Sequence, residues 1–151
     1  MSKYKKRRNL YRKSNILIQN FHPTSKLPIS RTSIQALISR VFKSENVKLN
    51  ALDINMVNNS KIRKINRDFL KHDYFTDIIT FPYENDRNKI EGEIFISLDT
   101  VRKNSDLYDV SYTQELKRVI IHGALHLVGY NDKTEKEKEA VRKKENFYLG
   151  L

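Results

Sequence analysis

The sequence predicts an α+β fold, in which a small mixed β-sheet of about four strands carries packed helices. Short runs rich in β-branched residues lie between segments whose apolar residues recur at helical spacing. One long run, residues 115–129, is apolar almost all round, and a helix of that kind is expected to be buried. At 151 residues the chain is long enough to bury a real core.

The predicted strands are four. They are residues 16–19, 47–57, 76–81 and 94–96. The apolar alternation within residues 47–57 changes parity partway, which indicates a bulge or a register break. We expect Pro82 to stop the third strand, because proline cannot donate a hydrogen bond to the ladder. Residues 83–90 are expected to form a charged, hairpin-like loop.

The predicted helices begin at side chains that can cap a first turn or at the end of a strand. Their expected starts are Ser30, the pair Asn58 and Asn59, Leu98, the capping box Ser111-x-x-Gln114 and the capping box Thr134-x-x-Glu137. The apolar stripe of the first helix is Ile34, Leu37, Ile38, Val41 and Phe42. The stripe of the second is Ile62, Ile65, Phe69 and Leu70. The third helix is short, residues 98–104, and the fifth is highly charged.

Two histidines lie four residues apart inside the long apolar run. On an α-helix His122 and His126 share one face, and a glycine-broken turn can fold Asp132 back over that face. This is the geometry of a three-ligand metal site that keeps one position open for water. Gly123, which costs about 1 kcal/mol inside a helix, indicates that another element packs closely there. The residues alone leave a second interpretation open, in which both histidines are core residues bonded to backbone.

Composition excludes several classes of protein. The chain has no cysteine, so it has neither a disulfide framework nor a thiolate metal site, and a reducing compartment is expected. No apolar run approaches the length of a membrane span, and the first residues lack the apolar core of a signal peptide. We therefore predict a cytoplasmic protein with no membrane partner.

The net charge of +11 is spread unevenly. The chain has 29 basic and 18 acidic residues, and seven of the basic residues fall within residues 1–13. The rest of the chain therefore has 22 basic and 18 acidic residues. We therefore divide the chain into a basic arm, residues 1–14, expected to be disordered when free, and one domain, residues 15–151. Such an arm binds polyphosphate, and Tyr4 and Tyr11 could stack on RNA bases. A tail that only adds solubility is the alternative.

Three blocks of the sequence, in this order, resemble the YbeY-type endoribonuclease family, the rRNA maturation factors of bacteria. They are residues 65–82 with T-D-I-I-T-F-P, residues 91–97 with E-G-E-I-F-I-S, and residues 122–132 with H-G-A-L-H-L-V-G-Y-N-D. The resemblance covers about residues 47–149 and implies a small mixed sheet with helices packed on it. It also implies metal-dependent cleavage of single-stranded RNA, linked to 16S rRNA 3′-end maturation and ribosome quality control.

The resemblance carries a metal site over to this chain with one departure. His122 and His126 match two histidine ligands of the family, whereas Asp132 stands where the family has a third histidine. Aspartate is a competent ligand, so we expect one Zn²⁺ per chain at these three residues. With a divalent ion bound, this site would carry less positive charge than the family's site with three histidines. It would also bind harder metal ions more readily. His72, in the loop before the third strand, is a rival third ligand.

A second departure bears on catalysis. Leu70 stands where the family has an arginine suited to holding a phosphate, and either Lys71 or His72 is expected to supply the missing charge. His72 matches a lysine of the family. Glu93, or Glu91 on the same strand, is a candidate general base, although both could simply be charged residues beside a hairpin.

Three functions remain open on the sequence. The first is an endoribonuclease that cuts single-stranded RNA or a 16S rRNA precursor, with the ribosome, a ribosomal protein or an assembly GTPase as its partner. The second is a non-catalytic assembly factor that binds rRNA or the ribosome through a domain with a structural metal, which the missing arginine favours. The third is another metallohydrolase such as a peptidase, suggested by the histidine spacing alone, although the glutamate of the HExxH motif is absent.

Overall fold

The computed structural model describes residues 15–73, 75–86 and 88–151. The predicted basic arm, residues 1–14, lies outside the described residues, so its division from the domain stays a prediction. The described elements are β1 Ile16–Asn20, α1 Arg31–Ser44, β2 Leu49–Val57, α2 Asn59–Leu70, β3 Ile78–Asp86, β4 Lys89–Ser97, α3 Leu98–Leu107, α4 Tyr112–Leu127 and α5 Glu135–Leu149. Within this part of the chain, no helix is long and apolar enough to cross a bilayer.

The predicted mixed sheet of four strands is confirmed. The strand order is β1-β2-β4-β3, in which β1, β2 and β4 are parallel and β3 is antiparallel to β4. The main core lies between one sheet face and helices α1, α4 and α5. Helix α2 packs on the other face over a smaller cluster, Val57, Ile62, Ile65 and Ile79. Both faces of the sheet are therefore covered, at least in part, by helices.

The histidine helix α4 lies very close to the sheet, as Gly123 predicts. A Cβ atom added at Gly123 would be 2.7 Å from Cδ1 of Ile78 and 3.0 Å from Cδ1 of Ile94. One turn later Leu127 contacts β4 in the same way, since a Cβ at Gly92 would be 2.9 Å from its Cδ2. Two glycines thus let the helix that carries the histidines pack against the strands.

Four predicted caps are confirmed, because local hydrogen bonds fix where a helix begins. The side chains of Ser30, Asn58, Ser111 and Thr134 each accept from a backbone N–H in the first turn, and Ser97, which is not among the predicted caps, does the same for α3. At Thr134 the backbone N–H donates in return to Oε2 of Glu137 at 3.1 Å and completes the predicted capping box, whereas at Ser111 the cap is the bond from the N–H of Gln114. The third helix runs to Leu107, three residues beyond the prediction.

Two predictions about β3 and β4 are wrong. Pro82 does not end a strand: it pairs with Gly92, and the ladder shifts register between Pro82 and Glu84 and continues to Asp86. Residues 83–86 and 89–90 are therefore strand, and Asn88 lies in the turn that precedes β4. The reason is that β3 is an edge strand, where a proline can lack a donor without breaking a central ladder. The predicted bulge of β2 is confirmed, between Leu49 and Ala51.

Candidate metal centre

The two histidines of α4 and the aspartate after it converge on one point. His122 and His126 lie one helical turn apart, with their Nε2 atoms 3.0 Å from each other. Helix α4 ends at Leu127, and the chain turns at Gly129, whose φ of 111° suits glycine. Oδ2 of Asp132 then lies 3.4 Å from Nε2 of His122 and 3.3 Å from Nε2 of His126. The three ligand atoms form a nearly equilateral triangle.

This triangle fits a divalent metal ion. In a tetrahedral site with bonds of about 2.0–2.1 Å, neighbouring ligand atoms lie about 3.3–3.4 Å apart. The separations of 3.0, 3.4 and 3.3 Å match one face of such a tetrahedron. Two imidazole nitrogens and a carboxylate oxygen suit Zn²⁺ and also harder ions, so the donors do not fix the metal. Among the described residues, His122, His126 and Asp132 are the one such cluster, and the rival ligand His72 is not in it.

Glu145, a buried glutamate of the C-terminal helix α5, contacts His122, the first of the two histidines. Oε2 of Glu145 lies 2.8 Å from Nδ1 of His122, and its Oε1 accepts a hydrogen bond from Arg118 at 3.1 Å. Arg118 also donates to Oδ1 of Asn146 at 3.0 Å. With a carboxylate at Nδ1, that nitrogen carries the proton and Nε2 is left as the ligand atom. The chain Arg118–Glu145–His122 therefore orients the ring toward the metal position.

Three ionisable groups at or next to this centre, His122, Asp77 and Glu115, have shifted pKa values. Burial acts to lower the pKa of His122, but the hydrogen bond and charge of Glu145, together with the charges of Asp132 and Asp77, outweigh it and raise that pKa. Burial raises the pKa of Asp77, and it also raises the pKa of Glu115, one helical turn before Arg118. Such shifts tend to concentrate at functional sites.

The turn that carries Asp132 is tied to the rest of the molecule by a second carboxylate. Glu45, just after α1, accepts hydrogen bonds from the hydroxyl groups of Tyr130 at 3.0 Å and Tyr148 at 2.6 Å. Nζ of Lys144 lies 3.0 Å from the same carboxylate. Because Tyr130 is two residues before Asp132, these contacts hold the third ligand in place.

The metal position lies between two cavities. The larger, about 480 Å³, is lined by α2, β3 and α4, including Asn66, Leu70, Thr76, Asp77, His122, His126 and Asp132. The smaller, about 290 Å³, shares Asp77, His122 and Asp132 and adds cations from α4 and α5, which are Arg118, Lys138 and Arg142. The C-terminal end of α2 therefore forms part of the wall of the larger cavity.

That end of α2 holds two of the predicted catalytic residues. Lys71 caps the helix in the left-handed conformation, at φ 59°, and the N–H groups of Lys71 and His72 both donate to the carbonyl of Asn66. Both side chains are exposed. Leu70, immediately before them, lines the larger cavity. Lys71 and His72 are thus adjacent in sequence to a residue that lines the site, without lining it themselves.

The third predicted catalytic residue, Glu93, is not brought to the histidines. Gly92 faces Leu127 of α4, and side chains alternate along a strand, so Glu93 points to the opposite face of the sheet. There it accepts hydrogen bonds from Asn55 at 2.9 Å and Tyr83 at 2.7 Å. Its neighbour Glu91 is buried and accepts from Asn50. Neither glutamate lines the cavities at the metal position.

Sequence reasoning missed Glu145 and Arg118. One signal was available for Glu145, because it falls on the apolar stripe of α5 between Val141 and Tyr148, at helical spacing. A carboxylate at such a position is only 5% exposed and requires a partner. Arg118 lies four residues before His122, on the same face of α4. Together, the positions of Glu145 and Arg118 indicate an ion pair packed against His122.

Comparison with known proteins gives one consistent result. Residues 18–150 match the model of a family described as Endoribonuclease YbeY. A protein of that name from Cytophaga hutchinsonii is 45% identical over 121 residues, which are 80% of this chain and 85% of that protein. Another from Chlorobaculum parvum is 42% identical over 126 residues, or 83% and 89% of the two chains.

A solved structure agrees with the fold. The solution structure of TM1509 from Thermotoga maritima superposes with a TM-score of 0.62 at 25% sequence identity, covering 89% of this chain and 86% of that one. The family model spans nearly the whole chain, and the relatives match most of their own length. This chain therefore belongs to the endoribonuclease YbeY family.

Proposed function

We propose that this protein is a metal-dependent endoribonuclease specific for single-stranded RNA, acting in 16S rRNA 3′-end maturation and ribosome quality control in the cytoplasm. The observation that carries the proposal is the triangle of His122, His126 and Asp132, which opens on a cavity of about 480 Å³ in a chain of this family. A cavity of this volume admits part of a nucleotide chain.

Each residue of the centre has a distinct part in this proposal. His122, His126 and Asp132 would hold the ion, which we propose to be one Zn²⁺ per chain. When bound, such an ion supplies Lewis acidity to a phosphoryl oxygen and lowers the pKa of a water molecule. Glu145 holds the ring of His122 in one orientation, and Arg118 holds Glu145. Leu127 and the other apolar lining residues limit the access of bulk water.

The cation that contacts the substrate phosphate comes, in this proposal, from Lys71, with His72 as the nearest alternative. Leu70, which lines the cavity, has no charge to offer. Lys71 follows it directly and is exposed, and its four-carbon stem can reach across one residue. A lysine gives no bidentate contact, so phosphate binding is expected to be weaker than with an arginine at position 70. We do not include Glu93 among the groups that act on the substrate.

A second function has one observation in its favour. With Leu70 at the mouth of the cavity, the site lacks a built-in phosphate clamp, and the protein could bind rRNA or the ribosome as a non-catalytic assembly factor with a structural metal. The net charge of +11 suits either function. Under both, the partners we propose are single-stranded rRNA and the ribosome, with a ribosomal protein or an assembly GTPase as a further candidate.

The test is cleavage of a single-stranded RNA that carries a 16S 3′-end precursor sequence. Zinc-loaded protein, chelated protein and a His126→Ala variant are purified in parallel and compared. Cleavage by the loaded wild type alone supports the endoribonuclease. Equal RNA binding by all three samples without cleavage would contradict it and support the assembly factor.

A further inference from the structure

Three large apolar side chains are exposed at or next to residues that line the larger cavity. Phe69 is 69% exposed, Leu70 is 42% exposed and Phe75 is 54% exposed. Leu70 itself lines the cavity, and so does Thr76, the residue after Phe75. Consecutive Cα atoms are only about 3.8 Å apart, so Phe69 and Phe75 each have a backbone position beside a residue that lines the cavity. We call Phe69, Leu70 and Phe75 the aromatic rim.

The two rings of the aromatic rim are held in place by contacts on one side only. The ring of Phe69 meets that of Phe81 edge to face, with centroids 5.9 Å apart. The guanidinium of Arg63 lies 5.3 Å from the centroid of Phe75, and it also forms an ion pair with Asp73 at 2.8 Å. These contacts fix the rings while leaving most of each ring open to solvent.

The helix that carries Phe69 and Leu70 is rich in exposed positive charge. Helix α2 and its cap contribute five exposed cations, namely Lys61, Arg63, Lys64, Arg67 and Lys71. Two acidic residues, Asp68 and Asp73, lie in the same stretch, and both are paired with arginines. Aromatic rings interleaved with lysine and arginine bind single-stranded nucleic acid, because bases stack on the rings while cations meet the phosphates.

We infer that the aromatic rim binds an unpaired nucleobase of the RNA, next to the phosphate at the metal position. This inference rests on the proposed function and deepens it. A base within a duplex is already stacked and paired, so a strand must be single to place a base on Phe69 or Phe75. The aromatic rim thereby gives a physical source for single-strand specificity.

The experiment measures binding of zinc-loaded, full-length protein to two short single-stranded 2′-O-methyl RNAs by fluorescence anisotropy. One RNA has all its bases, and the other has abasic sites at its internal positions. The variants are Phe75→Ala and Phe69→Ala. Phe147→Ala is the matched control, since that ring is 57% exposed and lies below Arg40 at 5.7 Å but lines neither cavity.

We expect Phe75→Ala and Phe69→Ala to weaken binding of the RNA with bases by about 5- to 150-fold each, the effect of one stacked base. Binding of the abasic RNA should change little, and Phe147→Ala should leave both unchanged. An equal loss for both RNAs, or no loss for either, would overturn the inference. Thermal unfolding of each variant shows whether a loss comes from misfolding, and Phe75→Leu, which keeps apolar volume without a ring, should behave like Phe75→Ala.

Cleavage by the wild type tests the proposed function separately. Base-dependent binding without cleavage would support the aromatic rim and contradict the enzyme. Cleavage of unmodified RNA, together with equal binding of the two 2′-O-methyl RNAs, would support the enzyme and overturn the aromatic rim.

Discussion

Oε2 of Glu145 lies 2.8 Å from Nδ1 of His122, although the two residues are 23 positions apart in the chain. This contact joins the last helix to the metal centre and assigns the tautomer of the histidine. Because Glu145 is also bonded to Arg118, its charge is balanced in a buried setting.

Replacing Glu145 should weaken metal binding without removing a ligand. We expect Glu145→Gln to lower the affinity for Zn²⁺ by about 10- to 100-fold, because the neutral amide no longer holds the Nδ1 proton of His122. Competition against a chelating dye measures the affinity. Glu139→Gln on the same helix, at an exposed position, is the matched control and should bind as the wild type does. An unchanged affinity for Glu145→Gln would show that the contact does not support the ligand.

The carboxylate at position 132 should set the pH range of activity. Asp132 cancels part of the charge of a divalent ion, whereas a third imidazole cancels none, so a water molecule at the ion is less acidic in the wild type. We expect the pH–rate profile of RNA cleavage by Asp132→His to lie at lower pH than that of the wild type. Profiles that coincide would remove Asp132 from direct contact with the ion.

Glu45 should stabilise the protein in a pH-dependent way. Burial acts to raise its pKa, but hydrogen bonds from Tyr148, Lys144 and Tyr130 outweigh burial, and the net pKa lies below the usual 4.5. A pKa that is lower in the folded state contributes stability above the unfolded pKa, and that stability is lost as pH falls through the folded pKa. The wild type should therefore lose stability below about pH 4.5, the unfolded value.

We expect Glu45→Gln to reduce the free energy of unfolding near neutral pH by about 1–3 kcal/mol, the cost of leaving charge-assisted bonds unmade. The variant should lose less stability than the wild type on acidification. Urea unfolding across the acidic range measures both effects. Glu135→Gln, at a fully solvated position, serves as the control. Parallel curves for the wild type and Glu45→Gln would contradict this account.

Adding even a methyl group at Gly123 should destabilise the protein. Alanine gains about 1 kcal/mol of helix propensity, but its Cβ would lie 2.7 Å from Cδ1 of Ile78, and overpacking costs about 1–3 kcal/mol. We expect Gly123→Ala to lower the melting temperature. Adding Ile78→Val removes the Cδ1 atom and should restore part of the loss, measured by calorimetry. A Gly123→Ala variant more stable than the wild type would mean that Ile78 moves aside freely.

Lys71 should contribute to RNA cleavage even though its side chain is exposed. We expect Lys71→Ala to reduce RNA cleavage about tenfold or more, the worth of a hydrogen bond to a charged group. Leu70→Arg should raise cleavage, because a bidentate contact then reaches the phosphate from inside the cavity. Lys43→Ala, at an exposed position of α1 that lines neither cavity, is the control. Intact turnover in Lys71→Ala would transfer the role to another cation, with His72 tested next.

Much of the fold could be predicted from the sequence because its signals are local. Ser30, Asn58, Ser111 and Thr134 each cap a helix through a bond to a residue three positions away, within the reach of any sequence pattern. The same holds for the shared face of His122 and His126, which follows from 3.6 residues per turn. Gly123 showed that α4 would lie close to another element, but not which one.

The tertiary structure alone decided what depends on strand order and on contacts between distant segments. Pro82 lies within a strand because β3 is at the sheet edge, and Glu93 faces away from the histidines because Gly92 takes the side toward α4. Glu145 reaches His122 only after α5 folds back along α4. By itself, the sequence predicted the helices, the four strands of the sheet and the grouping of His122, His126 and Asp132, since these follow from periodicity and short turns. Packing over the whole chain decides toward which face of the sheet the side chains of each strand point. It also decides that the buried carboxylate of Glu145 contacts His122.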